Sequence, residues 1–95
     1  MKIYIAGPMT GYKDYNYPAF MEAEERIGNF THGNCEIFNP ARNPEQKTYA
    51  DYLREAIKLL IQCDTIYMLP GWEKSNGATL EHKIAVTLGM EVIYE

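Results

Sequence analysis

Residues 63–86 read CDTIYMLPGWEKSNGATLEHKIAV, and the fold turns on how this stretch, Cys63 to Val86, divides. Asp64 opens an apolar run, Thr65-Ile66-Tyr67-Met68-Leu69, whose β-branched and aromatic residues suit a buried strand. Pro70-Gly71 stops the strand. A polar turn follows from Trp72 to Gly77, and a helix is expected to start near Gly77-Ala78. On that helix Leu80, Ile84 and Leu88 recur at i, i+4 and i+8, the spacing of a core stripe. Glu81, about one turn in, shares a face with Ala78, Ala85 and Leu88. A carboxylate among small and apolar neighbours has two readings: a chemical group, or a solvated first-turn residue complementing the helix dipole.

Outward from this stretch, the same alternation repeats. Lys2-Ile3-Tyr4-Ile5-Ala6 is expected as a first strand, ended by Gly7-Pro8. The loop from Gly7 to Tyr17 is longer than the ~2–6 residues usual between a strand and a helix, and such length favours a binding surface. Asn16 is placed to cap the next helix and Pro18 to sit in its first turn. Phe20, Ala23, Ile27 and Phe30 form its apolar stripe. After the turn Thr31-His32-Gly33-Asn34, Cys35 to Phe38 is a short second strand closed by Asn39-Pro40. Ala41 to Lys47 is polar connection, and Tyr49, Leu53, Ala56, Leu60 and Cys63 mark a second helix. Met90 to Tyr94 is a fourth strand after a helix stop at Gly89.

The order β-α-β-α-β-α-β implies parallel strands with right-handed crossovers. The expected fold is α/β: a doubly wound, flavodoxin-like three-layer sandwich with a four-stranded parallel sheet in the order 2-1-3-4. Residues 1–95 are expected to form a single domain. In such sheets a ligand sits beyond the carboxyl ends of the strands, where the order reverses, here between the first and third strands. Gly7-Pro8, Pro70-Gly71 and Asn39-Pro40 all end strands at that edge, and Ser75 and the start of the Glu81 helix join them.

Composition narrows the function classes. A net charge of −4 argues against general nucleic-acid binding, which needs a basic surface. No apolar run approaches the roughly 20 residues of a membrane span, and Met1-Lys2-Ile3 leads straight into a strand rather than a signal peptide. Cys35 and Cys63 lack metal-site and redox-motif spacing and read as reduced thiols, so a cytoplasmic protein is expected. His32 and His82 make no metal site; His82 reads as a surface residue.

Ile3-Tyr4-Ile5-Ala6-Gly7-Pro8, Asn39-Pro40, and Asp64 followed by Ser75-x-Gly77-x-x-x-Glu81 together resemble the nucleoside 2-deoxyribosyltransferase superfamily, which includes the 2′-deoxynucleoside 5′-phosphate N-hydrolases. The similarity is greatest to its small bacterial and phage members and covers essentially the whole chain. It implies an N-glycosidase or deoxyribosyltransferase that cleaves a (deoxy)nucleoside monophosphate. Glu81 would attack the anomeric carbon, Tyr4 would hold or tune it, and Asp64 would support the site. An oxocarbenium-like transition state beside a carboxylate fits that chemistry. Ser75 matches a serine that contacts the 5′-phosphate in the hydrolases, and the Gly7, Pro8, Met9 and Thr10 backbone matches their phosphate loop. Asn39, Gly71, Trp72 and Gly77 complete the expected substrate-binding set, with no metal and no cofactor. Where the family usually carries an aspartate eight residues before the Asp64 position, this chain has Ala56, and it stops at Glu95 where characterised relatives continue and lend a residue to a partner's site. A homodimer without nucleic-acid or membrane partners is expected. The runner-up is a non-catalytic nucleotide-binding protein, a sensor or sequestering protein of the same fold; an interaction module using exposed Tyr and Trp is the third class.

Overall fold

The computed structural model describes residues 1–42 and 48–95. Seven principal elements follow in the expected alternation: β1 (Lys2–Ala6), α1 (Tyr17–Phe30), β2 (Glu36–Phe38), α2 (Tyr49–Leu60), β3 (Thr65–Met68), α3 (Asn76–Thr87) and β4 (Glu91–Tyr94). The strands form one parallel sheet ordered β2-β1-β3-β4. Tyr4 stands opposite Phe38 on one side and Ile66 on the other, and Ile66 in turn opposite Val92. The α/β sandwich with the 2-1-3-4 order is therefore the fold of this chain.

Strand alternation divides the core into two. Ile3 and Ile5 of β1 point to one face, where Phe20, Ala23 and Ile27 of α1 cover them. Tyr4 and Ala6 point to the other, against Ala56 and Leu60 of α2, Ile66 and Met68 of β3, and Ala85 of α3. Residues 3–6 of β1 are all buried, which is what a central strand covered on both faces requires. Phe20, with no exposed surface, contributes about 1.5–3 kcal/mol by the usual scale for a fully buried side chain.

Several local expectations are corrected. On α3 the buried residues are Ala78, Glu81 and Ala85, whereas Leu80 is 39% and Leu88 57% exposed and Ile84 is half-buried. The helix thus packs on its small-residue face, which allows close approach to the sheet. Phe30 at the end of α1 is 85% exposed, one turn past the last buried residue, Ile27. Tyr49 likewise leaves the core stripe of α2, which is carried by Ala56, Leu60 and the following Cys63. Asn16 occupies the cap position of α1 without a side-chain capping bond; its amide donates to the Pro8 carbonyl at 2.9 Å and folds the first loop back onto the end of β1. Thr48 and Ser75, by contrast, cap α2 and α3 through their hydroxyls. The expected connection from Ala41 to Lys47 begins as a short 3-10 turn, Pro40–Arg42; its residues 43–47 lie outside the described residues.

Candidate active site at the carboxyl edge of the sheet

The topology predicts a crevice where β1 and β3 diverge towards opposite neighbours, and a cleft of ≈ 800 Å³ lies there. Gly7, Pro8, Met9 and Thr10 supply one wall, and Ser75, Asn76, Gly77, Ala78 and Glu81 supply another. Two glycines make this arrangement possible. A Cβ on Gly7 would stand 2.7 Å from the Cβ of Leu69, so only glycine lets the exits of β1 and β3 lie this close. Gly71 has φ +87°, in the left-handed region, and a Cβ there would stand 2.8 Å from the Tyr12 hydroxyl.

Glu81 and Tyr4 form the centre. Glu81 is 4% exposed, and its Oε2 accepts a hydrogen bond from the Tyr4 hydroxyl at 2.5 Å. The solvated first-turn reading of Glu81 is therefore overturned: between Ala78 and Ala85 on the buried face of α3 stands a carboxylate turned inward. Burial pushes the Glu81 carboxyl up to about 7, against which the Tyr4 hydrogen bond works in the lowering direction. Tyr4 is pushed well above its ordinary value, first by burial and then by the Glu81 charge, so it remains a donor. Among the described residues no fully buried side-chain polar atom lacks a partner, and Glu81 lines the cleft. A buried carboxylate whose proton equilibrium lies near neutrality, with one oxygen held by a phenol, is suited to act as a nucleophile or base.

The α3 end of the cleft has the chemistry of an anion site. Ser75 is the cap: its Oγ accepts from the Ala78 amide at 3.2 Å, and among the described residues no acceptor takes its own proton. Lys74, Asn76 and Gly77 line the same wall. Together they bring a helix N-terminus, a hydroxyl and an ammonium to one place.

Four residues expected at the site stand apart from the cleft. Asp64 lies at the opposite, amino-terminal edge of the sheet, where it is exposed and accepts from the Lys2 amide at 3.0 Å and the Thr65 hydroxyl at 2.8 Å. A residue that opens a parallel strand cannot reach the edge where that strand ends. Asn39 is buried with its amide donating to the Phe20 carbonyl and to Glu24 and its Oδ1 accepting from the Ala41 amide, which anchors the end of β2 to α1. Trp72 stacks on His82 at 4.3 Å and packs against the core, with Tyr94 beside both rings; His82 is accordingly half-buried rather than free on the surface. Gly71 shapes the loop through its contact with Tyr12 and is not itself a wall of the cleft.

Conversely, five tyrosines line the cleft: Tyr12, Tyr15, Tyr17, Tyr49 and Tyr52. Asp14, Tyr15 and Asn16 take left-handed backbone conformations (φ 53°, 51° and 62°), and the Tyr15 and Tyr17 rings end 5.8 Å apart. Tyr12, Tyr15 and Tyr17 belong to the loop whose length marked it as a binding surface; Tyr52 was not singled out, although it stands one turn before Ala56 on the face of α2 that packs against the core. Ala56 is buried in the apolar core one turn further along that helix. No helix among the described residues is long and apolar enough to cross a membrane.

A family model described as Domain of unknown function (DUF4406) matches residues 1–94. Among solved structures, the chain is similar in fold to the 2-desoxiribosyltransferase from Leishmania mexicana, with a TM-score of 0.70 and 20% identity. The match covers 98% of this chain and 62% of that one, so the chain spans under two thirds of the enzyme's length. No curated protein matches the chain.

Proposed function

Because the chain belongs to the DUF4406 family, whose description assigns no activity, we propose a function from the site: a nucleotide-processing N-glycosidase or deoxyribosyltransferase with Glu81 as nucleophile. The observation that carries this reading is the buried Glu81 carboxylate, held by Tyr4 and lining a cleft at the reversal of strand order. The likeness in fold to a solved 2-desoxiribosyltransferase supports it. The substrate class is a (deoxy)nucleoside monophosphate. Its phosphate meets Ser75, Gly77 and Lys74 with the Gly7–Thr10 backbone, where a charge-assisted hydrogen bond contributes ~1.5–3 kcal/mol.

The steps balance without an added reagent. An ionised Glu81 oxygen bonds to the anomeric carbon while the bond to the base breaks, and the base leaves with the electron pair. Water then attacks the glycosyl ester and restores the carboxylate; a second base in place of water makes the reaction a transfer. Tyr4 holds one oxygen of Glu81 and orients the other. Residues 1–95 act as one domain. The protein assembles as a homodimer, for which α3 leaves Leu80, Val86 and Leu88 exposed; sedimentation at micromolar concentration showing monomer alone would count against that assembly.

A second reading, a nucleotide-binding protein without catalysis, is favoured by Ala56: α2 brings an apolar residue, not an acid, to the position where relatives usually carry an aspartate. One experiment separates the two. A 2-deoxy-2-fluoro nucleoside monophosphate should raise the intact mass by one sugar phosphate, with peptide mapping placing the adduct on Glu81 and none forming on Glu81→Gln. Micromolar binding of a nucleotide, with neither adduct nor free base across a deoxynucleotide panel, establishes the binder instead.

A further inference from the structure

Tyr52 is a second phenol of the cleft, and the chemistry above leaves it unused. It projects from α2, lines the cleft beside Glu81, and is partly buried against the core that holds Tyr4. Its hydroxyl donates to the thioether sulfur of Met9 at 3.1 Å. A thioether is a weak acceptor. A phenol O–H given to a thioether at the wall of a cleft is a donor ready to move to any stronger acceptor that a ligand brings. Met9 belongs to the first loop, so the exchange needs only a side-chain adjustment at the wall. Burial raises the Tyr52 phenol above its ordinary value, and the Glu81, Tyr17 and Tyr49 groups around it act in the same direction, so its proton stays in place throughout the neutral range. The acids of α2 face elsewhere: Glu55 is exposed and pairs with Lys58, and Asp51 pairs with Arg54.

We propose that Tyr52 touches the leaving base and donates a hydrogen bond to it as the glycosidic bond breaks, taking as its acceptor a ring nitrogen or carbonyl oxygen of the base in place of Met9. This rests on the Glu81 reading. As the C–N bond breaks, the electron pair moves onto the base, and the Tyr52 O–H stabilises the negative charge that develops there. Tyr52 keeps its proton. The base takes its proton from the water whose hydroxyl ends on the sugar, so the overall reaction is nucleotide and water giving free base and sugar phosphate. A hydrogen-bond donor aimed at the charge that develops in the transition state is a large contribution to rate. It also selects substrates: bases that present an acceptor towards α2 are processed, and isosteres with carbon at that position are not.

The test compares Tyr52→Phe with the wild type on two substrates that share the sugar phosphate and differ in leaving group. One is a deoxynucleoside monophosphate; the other is 4-nitrophenyl 2-deoxyribose 5-phosphate, whose nitrophenolate leaves without help. Tyr52→Phe should lower kcat/KM on the nucleotide by about 10²-fold, the loss typical of one such donor. On the nitrophenyl substrate it should stay within about threefold, which also reports that the variant is folded. An equal loss on both substrates makes Tyr52 merely structural, and no loss on either removes it from the reaction; both overturn the proposal. A wild type that turns over neither substrate and forms no Glu81 adduct removes the Glu81 reading and this one with it. A wild-type adduct with an unaffected Tyr52→Phe sinks this one alone.

Discussion

The two edges of the sheet each hold a carboxylate, and the pair behave oppositely. At the amino-terminal edge Asp64 is exposed, accepts hydrogen bonds from the Lys2 amide and the Thr65 hydroxyl, and is held below its ordinary value mainly by those two bonds. At the carboxyl edge Glu81 is buried, has the Tyr4 phenol as its hydrogen-bond partner among the described residues, and is pushed up to about 7 by the loss of water. Both lie on or beside elements of the same sheet core, so the difference comes from surroundings rather than residue type. Asp64 is stabilised as a charge and contributes to the fold. Glu81 is a charge kept where folding disfavours it, the arrangement expected of a group retained for chemistry.

Replacing the disfavoured carboxylate gives the largest expected effect. Glu81→Gln should lower turnover of a nucleotide substrate by about 10³-fold or more, the scale seen when a group that acts as one unit with its neighbours is removed. The same variant should be more stable than the wild type in alkaline solution. The folded state holds the Glu81 proton more tightly than the unfolded chain, so stability falls as pH rises from 4.5 towards about 7, and glutamine escapes that loss. Denaturant unfolding at pH 8 should show a gain of about 3 kcal/mol, and at pH 4 almost none. A variant equally stable at both values would mean that the carboxylate carries no burial cost.

Removing the partner rather than the carboxylate should have a smaller, directional effect. Tyr4→Phe deletes the hydrogen bond that favours the ionised form of Glu81, so its proton equilibrium should move above 7. The acid limb of the kcat/KM profile should shift to higher pH, with lost activity partly recovered by alkaline assay. An unshifted limb would separate Tyr4 from the titration of Glu81.

The opposite edge should respond least. Asp64→Asn should leave kcat and KM unchanged, since Asp64 lies at the far end of the strands. Its lowered folded value means a stabilising contribution present above 3.8 and lost as pH falls through that lowered value. Thermal unfolding should therefore show a slight loss for Asp64→Asn at pH 7 that shrinks as the pH is taken down through that lowered value. A drop in turnover comparable with that of Tyr4→Phe would erase the distinction between the edges.

The sheet was legible because strand and helix patterns alternate without interruption, and parallel pairing then follows from the length of each crossover. The Tyr4–Glu81 pairing was expected from the family resemblance alone; the periodicity of α3 placed Glu81 on a face with Ala78 and Ala85 but named no partner for it. Periodicity there favoured Leu80, Ile84 and Leu88, yet the helix buries Ala78, Glu81 and Ala85. Two faces of α3 are apolar, and sequence spacing does not say whether bulk or close approach decides between them. Asp64 was expected at the site through the same resemblance as Glu81, but a strand carries its first and last residues to opposite edges. Asn39 and Trp72 sit near strand ends, as expected, with their polar or aromatic groups already engaged by α1 and by His82. Such commitments depend on partners far along the chain. Tyr52 was silent because on the core-facing side of a helix an aromatic residue reads as packing, and spacing does not show that its hydroxyl reaches the cleft.

The central position of β1 has a consequence for exchange with solvent. Tyr4 lies in a strand bonded to neighbours on both sides, whereas the Gly7–Tyr17 segment is held, among the described residues, by a few turn contacts and the Asn16–Pro8 and Tyr52–Met9 bonds. Amide protons of β1 are released to deuterium only when the whole sheet comes apart, while those of the segment are released through small local openings. The two sides of the cleft therefore keep different clocks. The backbone that carries Tyr4 opens on the timescale of global unfolding, and the loop facing it re-forms many times in that interval. A ligand that slows deuterium uptake in the loop while leaving β1 unchanged spends its binding energy on the wall and finds the floor already built.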